Sequence, residues 1–257
     1  MPEKTFSVGH LYSRELDFPD YNGTSAIYLV ASAARSGSTL LSTILWETGC
    51  LGAPMEYLNL KNSLSAIMDL GDGSIDFYWR EIKKRRTSPN GVFGVKMFWN
   101  YMENISVASP LIYRELSKEA KIILLDRTDK IGQAISLVRA MQTGAWFSGD
   151  EPRDLARFDA AQIEWAIHRN NQEMSAWERM LDRSGIIPFR VNYEQILDDR
   201  DSVIAGICLY LGAQLQGNAR VVLPVELERQ SNSQSEKWRM MLEKRPSSMT
   251  SERDGTQ

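Results

Sequence analysis

Short apolar runs alternate along the chain with longer stretches of helical period, and glycines mark many of the breaks between them. Together these observations predict an α/β fold, with a largely parallel sheet and helices layered on it. Ala26–Ser32 is apolar and β-branched without alternation, the pattern of a strand buried on both faces. Residues 38–48 carry Leu40, Leu41, Ile44 and Leu45 at helical spacing, and Gly49 stops the helix. A second strand, 92–98, follows the turn Pro89, Asn90, Gly91, and a third spans 121–125. The next helix, 129–143, gathers Ile131, Ile135 and Val138 on one face. Residues 152–183 read as one long helix with Leu155, Ala166, Trp177 and Leu181 on one side. A fourth strand at 189–193 and a helix at 201–211, ended by Gly212, complete the pattern.

The first two dozen residues carry Phe6, Tyr12, Phe18 and Tyr21 without a period. They predict an N-terminal arm, residues 1–25, ahead of one domain at 26–242. The stretch 243–257 is Ser-, Arg- and Glu-rich, the composition of a disordered tail. A chain of 257 residues, 43% hydrophobic and 25% charged, is long enough to bury a sizeable core. Its 30 Lys and Arg against 33 Asp and Glu leave a net charge of −3, which gives no general pull toward nucleic acid. Two cysteines, Cys50 and Cys208, and two histidines, His10 and His168, offer no metal-ligand spacing, so no metal is expected. No apolar run is long enough for a membrane span and no signal pattern opens the chain, which makes a cytoplasmic protein the expectation.

The segment that carries chemistry is Ala33, Ala34, Arg35, Ser36, Gly37, Ser38, Thr39, between the first strand and the first helix. A helix N-terminus offers unpaired N–H groups and the positive end of its dipole, so it receives phosphate readily. Gly37 lets the backbone approach an anion, Ser38 and Thr39 add hydroxyls, and Arg35 adds charge and donors. A Ser-capped helix start needs no ligand, and the pattern alone leaves that alternative open. A nucleoside-triphosphate loop of the GxxxxGK[ST] type requires a lysine before its hydroxyl residue, and none stands there. The run 122–125 followed by Asp126 imitates the magnesium-holding strand of such enzymes, which keeps a kinase or hydrolase open as an alternative.

Several segments, in order, resemble one family. They are Tyr28, Leu29, Val30; the loop Arg35 to Thr39; Gly49, then Gly52 to Tyr57; and Gly91 to Trp99. Further on come Asp126 to Asp129, Gln133 to Ser136, Arg139 to Thr143, Glu228 to Gln230, and Ser235 to Trp238. Across roughly residues 26–240 the chain is similar to the bacterial trehalose 2-sulfotransferase-like enzymes. The resemblance implies a three-layer nucleotide-kinase-like fold with a central, mostly parallel sheet. It also implies 3′-phosphoadenosine 5′-phosphosulfate (PAPS) as sulfuryl donor.

By that resemblance Arg35, Ser36, Gly37, Ser38 and Thr39 bind the 5′-phosphosulfate, Arg127 and Ser136 clamp the 3′-phosphate, and Arg229 and Gln230 close over the nucleotide. Ser136 falls on the helix face opposite Ile131, Ile135 and Val138, which agrees with such a role. An ion pair with Asp126 or Asp129 is the competing reading of Arg127. Glu56 is cast as the general base that a poorly nucleophilic hydroxyl needs. Read without the resemblance, Pro54 and Glu56 look like an ordinary first helical turn. Lys96 is a candidate for stabilising charge near the sulfuryl group, against a strand-end lysine paired with a carboxylate.

The expected activity is transfer to a small hydroxylated acceptor, a sugar or a specialised metabolite, in a possible homodimer. A non-catalytic nucleotide-binding protein of the same fold is a further alternative. Family members often carry Ser, then Pro or Gln, before the loop arginine, where this chain has Ala33 and Ala34. One hydroxyl contact is therefore missing. Tyr57, Trp99, Tyr101 and Trp146 lie near the motifs and are candidates either for sugar-stacking walls or for core.

Overall fold

The computed structural model describes residues 11–19, 21–59, 73–147, 150–215, 221, 223 and 233–245. Its centre is a four-stranded, all-parallel sheet of β1 (Ala26–Ser32), β2 (Val92–Phe98), β3 (Lys121–Asp126) and β4 (Phe189–Asn192) in the order β2-β1-β3-β4. The strand buried as a continuous apolar run, β1, therefore lies inside the sheet, as its composition predicts.

Successive side chains leave a strand on opposite faces, and they enter two different cores. Leu29, Ala31, Phe93, Val95, Met97, Ile122 and Leu124 pack on one face. There they meet α2 (Ile75–Arg86), α3 (Trp99–Ala108), α4 (Pro110–Arg114) and α6 (Ala160–Ser184) through Tyr78, Trp79, Met102, Ile105, Ile112 and Trp177. Tyr28, Val30, Val92, Ile123, Leu125 and Val191 take the other face. Leu41, Ile44 and Leu45 of α1 (Ser38–Glu47), Ile196 of α7 (Tyr193–Asp198), and Val203, Ile207 and Leu211 of α8 (Arg200–Leu211) cover it. Three layers result, as expected. Each large apolar side chain so buried contributes about 1.5–3 kcal/mol, which is what fixes the register of the sheet. Cys50 and Cys208 are buried free thiols in the second core.

A third cluster lies beside the sheet and shapes the site. Ala134, Ile135, Leu137 and Val138 of α5 (Lys130–Thr143) meet Ile163 and Ala166 of α6 and Trp238 of α9 (Ser233–Glu243).

Two sequence readings are corrected. Helix α6 begins at Ala160, with Asp159 accepting from Gln162 N–H, so residues 152–159 are not helical and Leu155 is exposed. The backbone there is satisfied instead by the end of α5, where Arg153 N–H bonds Thr143 C=O and Arg157 N–H bonds the Gln142 side chain. The segment at Pro54–Glu56 is extended rather than helical, because Met55 forms a parallel bridge with Val95 on the open side of β2.

The N-terminal arm is held down over its described part. Leu11 is fully buried, Arg86 donates to Ser13 C=O and Leu16 C=O, and Asp17 pairs with Arg85 and Arg86. The tail at 243–257 lies almost wholly outside the described residues. No helix among the described residues is long and apolar enough to cross a membrane.

Candidate active site

The strand order dictates where a ligand meets the sheet. The chain leaves β1 for β2 on one side, then crosses to β3 on the other, so a crevice opens beyond the carboxyl ends of β1 and β3. Arg35 follows β1 and Arg127 follows β3, and Arg127 Nη1 donates to Arg35 C=O at 3.4 Å.

The loop between β1 and α1 follows the carboxyl end of β1 and is strained. Arg35 is the one non-glycine residue with positive φ among the described residues, at 61°. A left-handed non-glycine conformation costs roughly 1–2 kcal/mol and persists only where the surroundings enforce it. Here Arg35 Nε donates to Ser136 Oγ at 2.9 Å and Nη1 to Trp146 C=O at 2.5 Å. Gly37 is the N-cap of α1 at φ 86° and no side chain caps the helix, so the Ser-capped alternative does not hold. A Cβ at Gly37 would stand 2.3 Å from Cδ2 of Tyr193, which packs across the turn. Ser36 is fully buried and its hydroxyl has no hydrogen-bond partner among the described residues. An uncapped helix start and an orphaned hydroxyl form a cradle that suits an anion, while the space beside Gly37 is taken by Tyr193.

Positive charge crowds the same place. Arg35 is lowered to about 10, first by burial and then by the charges of Arg127 and Arg139. Arg127 lies 4.9 Å over the ring of Tyr193 and only 3.6 Å from the nearest Asp129 oxygen, so the competing ion-pair reading is met in part. Asp126 does not pair with it; that carboxylate accepts from Arg127 N–H and from Lys130 Nζ. Ser136 points out of the α5 core stripe to receive Arg35, so two motifs a hundred residues apart in the chain meet directly.

On the other side of α1, Thr39 begins a second chain of contacts. Lys96 Nζ, from buried β2, bonds Thr39 Oγ1 at 2.9 Å and stands 2.8 Å from Glu56 Oε1. Tyr101 hydroxyl donates to Glu56 Oε2 at 3.2 Å, and Asn59 Nδ2 approaches the same oxygen at 3.4 Å. Burial, with the Glu56 charge and hydrogen bond, pushes the Tyr101 phenol far up, so it stays a neutral donor. Glu56 owes its place to the Met55 bridge, reinforced by Lys96 N–H bonding Met55 C=O at 3.0 Å. Both readings of Lys96 are thus realised in one geometry: it pairs with a carboxylate, and that carboxylate is Glu56.

Of the aromatic candidates, Tyr57 is buried core and Trp99 packs edge-on against Trp177, whereas Tyr101 reaches the site and Trp146 is partly exposed beside Arg35. Arg229 and Gln230 lie outside the described residues.

Sequence reasoning missed the residues that hold the loop from behind. Gln133 Nε2 and Asn170 Nδ2 both donate to Ala34 C=O, at 2.8 and 3.4 Å, and Trp177 Nε1 donates to Ser32 C=O at 3.2 Å. The backbone on either side of Ala33 is thereby anchored through the carbonyls of Ser32 and Ala34. A signal for Asn170 existed, since it interrupts the buried stripe Ile163, Ala166, Trp177 at helical spacing. Tyr193 carried no such signal, because its role comes from the turn that brings β4 into α7.

The sequence model of the family described as Stf0 sulphotransferase matches residues 27–243. Two curated relatives are the trehalose 2-sulfotransferases of Mycobacterium tuberculosis and Mycolicibacterium smegmatis. They are 26% and 27% identical over 249 residues, which cover 82% of this chain and 92% of each relative. Among solved structures, a sulfotransferase from Alicyclobacillus acidocaldarius is similar with a TM-score of 0.48 and 13% identity, covering 86% of this chain and 92% of that one. A sulfotransferase domain from the curacin biosynthetic pathway is similar with a TM-score of 0.44 and 15% identity, covering 86% of this chain and 99% of that one.

Proposed function

The chain belongs to the Stf0 sulphotransferase family and is an enzyme of sulfate transfer, and from that premise we propose that it moves a sulfuryl group from PAPS to a hydroxyl of a small acceptor. The names of the curated relatives support a sugar as the acceptor class. The observation that carries the proposal is the continuous line Thr39–Lys96–Glu56, which ties the phosphate-type loop to a carboxylate within hydrogen-bond distances.

The residues present fit the donor nucleotide. The uncapped start of α1, with Arg35, Ser36, Gly37, Ser38 and Thr39, suits its 5′-phosphosulfate. Arg127 and Ser136, both joined to Arg35, suit a second phosphate. When bound, PAPS supplies the sulfuryl group and a phosphate leaving group. Glu56 takes the proton of the acceptor hydroxyl as the new S–O bond forms, and the bond to the departing phosphate oxygen breaks. Lys96, Arg35 and the helix N–H groups stabilise the charge that remains on that phosphate. Tyr101 holds the receiving carboxylate in place as a neutral donor.

The structure adds no support to the magnesium-nucleotide alternative, since Asp126 Oδ1 accepts from Lys130 Nζ and from the Arg127 N–H. A non-catalytic role is separated by activity. Wild-type protein with radiolabelled PAPS and a panel of sugars should transfer label without added magnesium. Glu56→Gln should lower that turnover by about 10²–10⁴-fold while calorimetry with adenosine 3′,5′-bisphosphate shows unchanged affinity. Wild-type-like turnover in Glu56→Gln removes Glu56 as base.

A further inference from the structure

Helix α9 touches the arginine cluster at two points. Arg139 Nη1 donates to Ser235 Oγ at 2.6 Å, and Arg239 Nη2 lies 2.7 Å from both carboxylate oxygens of Asp129. Between them Trp238 is buried against α5 and α6, with Phe158 edge-on at 6.0 Å. Ser235, Trp238 and Arg239 share one helix face by their spacing. The helix is thus seated by an apolar anchor with a polar contact on each side.

The Arg239–Asp129 contact reaches further than its own pair. Asp129 also caps α5 through Gly132 N–H and faces Arg127 at 3.6 Å. A Cβ at Gly132 would stand 2.0 Å from Asp129 Oδ2 and 3.0 Å from Arg239 Nη2, so the helix leaves room there for this pair. Burial works to raise the Asp129 carboxyl, but the Arg239 and Gly132 hydrogen bonds and the charges of Arg239 and Arg127 hold it below its ordinary value. Asp129 is therefore an anion with two claimants. While Arg239 holds it, Arg127 keeps its guanidinium available; without Arg239, the carboxylate turns its full charge on Arg127.

We propose that α9 tunes the second phosphate subsite, with Arg239 and Ser235 acting as positioning residues for Arg127 and Arg139. This rests on the donor-nucleotide reading above and deepens it. Nucleotide binding and the docking of α9 are then linked, each favouring the other. The chemical group sensed is the 3′-phosphate, because the contacts fall on the Arg127–Arg139 side of the cluster and not on the α1 loop.

The test is calorimetry with adenosine 3′,5′-bisphosphate and with adenosine 5′-phosphate on wild type, Arg239→Gln, Ser235→Ala and the charge-retaining Arg239→Lys. Circular dichroism confirms that each variant is folded at the temperature used. Arg239→Gln and Ser235→Ala should weaken the bisphosphate about tenfold and the monophosphate less than about twofold, with Arg239→Lys recovering most of the loss. Equal weakening of both nucleotides marks a merely structural helix and overturns the proposal. So does an unchanged ratio in both variants. If the wild type itself shows no preference for the bisphosphate, the donor reading fails, and the coupling falls with it.

Discussion

The two ends of the site hold charge in opposite ways. At the Arg35 end, guanidinium groups crowd together and Arg35 is lowered by burial and by the charges of Arg127 and Arg139, with Asp129 largely taken by Arg239. At the Glu56 end, one carboxylate meets one ammonium at 2.8 Å, and a neutral phenol completes the shell. The first end is electrostatically incomplete and gains by receiving an anion. The second is already balanced, so the proposed mechanism has an incoming hydroxyl compete with Lys96 for Glu56. In the proposed mechanism binding and activation are thereby separated: one end receives the ligand and the other receives the proton.

The contrast can be broken most severely at Lys96. Lys96→Met leaves the Glu56 carboxylate half-enclosed without its cation, which should cost on the order of 3 kcal/mol of stability by chemical denaturation. Adding Glu56→Gln should restore much of that loss, because the penalty comes from the uncompensated charge. A single variant as stable as wild type would show that the second end is not balanced by this pair.

Gly37→Ala attacks the other end. The left-handed backbone and the collision with Tyr193 together predict a loss of about 2 kcal/mol in stability or an equivalent loss of nucleotide affinity, about 30-fold. Binding of adenosine 3′,5′-bisphosphate at wild-type strength would place the anion elsewhere. Tyr101→Phe removes one donor from Glu56 and should lower turnover about fivefold, with nucleotide affinity untouched. A matching loss of affinity would mean the two ends are not separable.

The smallest effect lies in pH. Burial and the neighbouring arginines disfavour the charged form of Arg35, so its contribution to the stability of the ligand-free protein is fully unfavourable below about 10 and is relieved progressively as pH rises from there toward the ordinary guanidinium value. A bound anion reverses the preference. Nucleotide affinity should therefore hold steady from neutral pH and weaken as pH passes about 10, read by calorimetry across that range.

How much of this was legible in the sequence follows from chain distance. The cradle is one continuous stretch, 33–39, whose strand, turn and helix all announce themselves locally. The Arg35–Ser136 contact could be anticipated because each residue sits in a recognisable motif and on a definable helix face. Glu56–Lys96 could not, since the pair exists only because residue 55 bridges to the edge of β2 after a long excursion. Helix α2 was missed for a related reason. Its sequence is crowded with Lys and Arg, and its buried face rests on Tyr78, Trp79 and Ile82 alone among apolar residues. Helix α6 was overextended because Pro152 and Leu155 suit a helix start, while the real start is set by Asp159 and by bonds to the end of α5.

The bridge between Met55 and Val95 makes the sheet a measuring frame. The segment bearing Glu56, then β2, then β1 are successive members of one hydrogen-bonded array, so the backbones of the outer two stand two strand spacings apart, about 10 Å, and Lys96 of the middle strand bonds both Glu56 and Thr39. That span is a property of backbone geometry and is indifferent to which side chains surround it. On the proposed mechanism, surface loops can then be redrawn for acceptors of different shape with the Lys96–Glu56 pair left where it is. The architecture divides what can vary from what must stay constant, and it does so with a single pair of residues at the edge of a sheet.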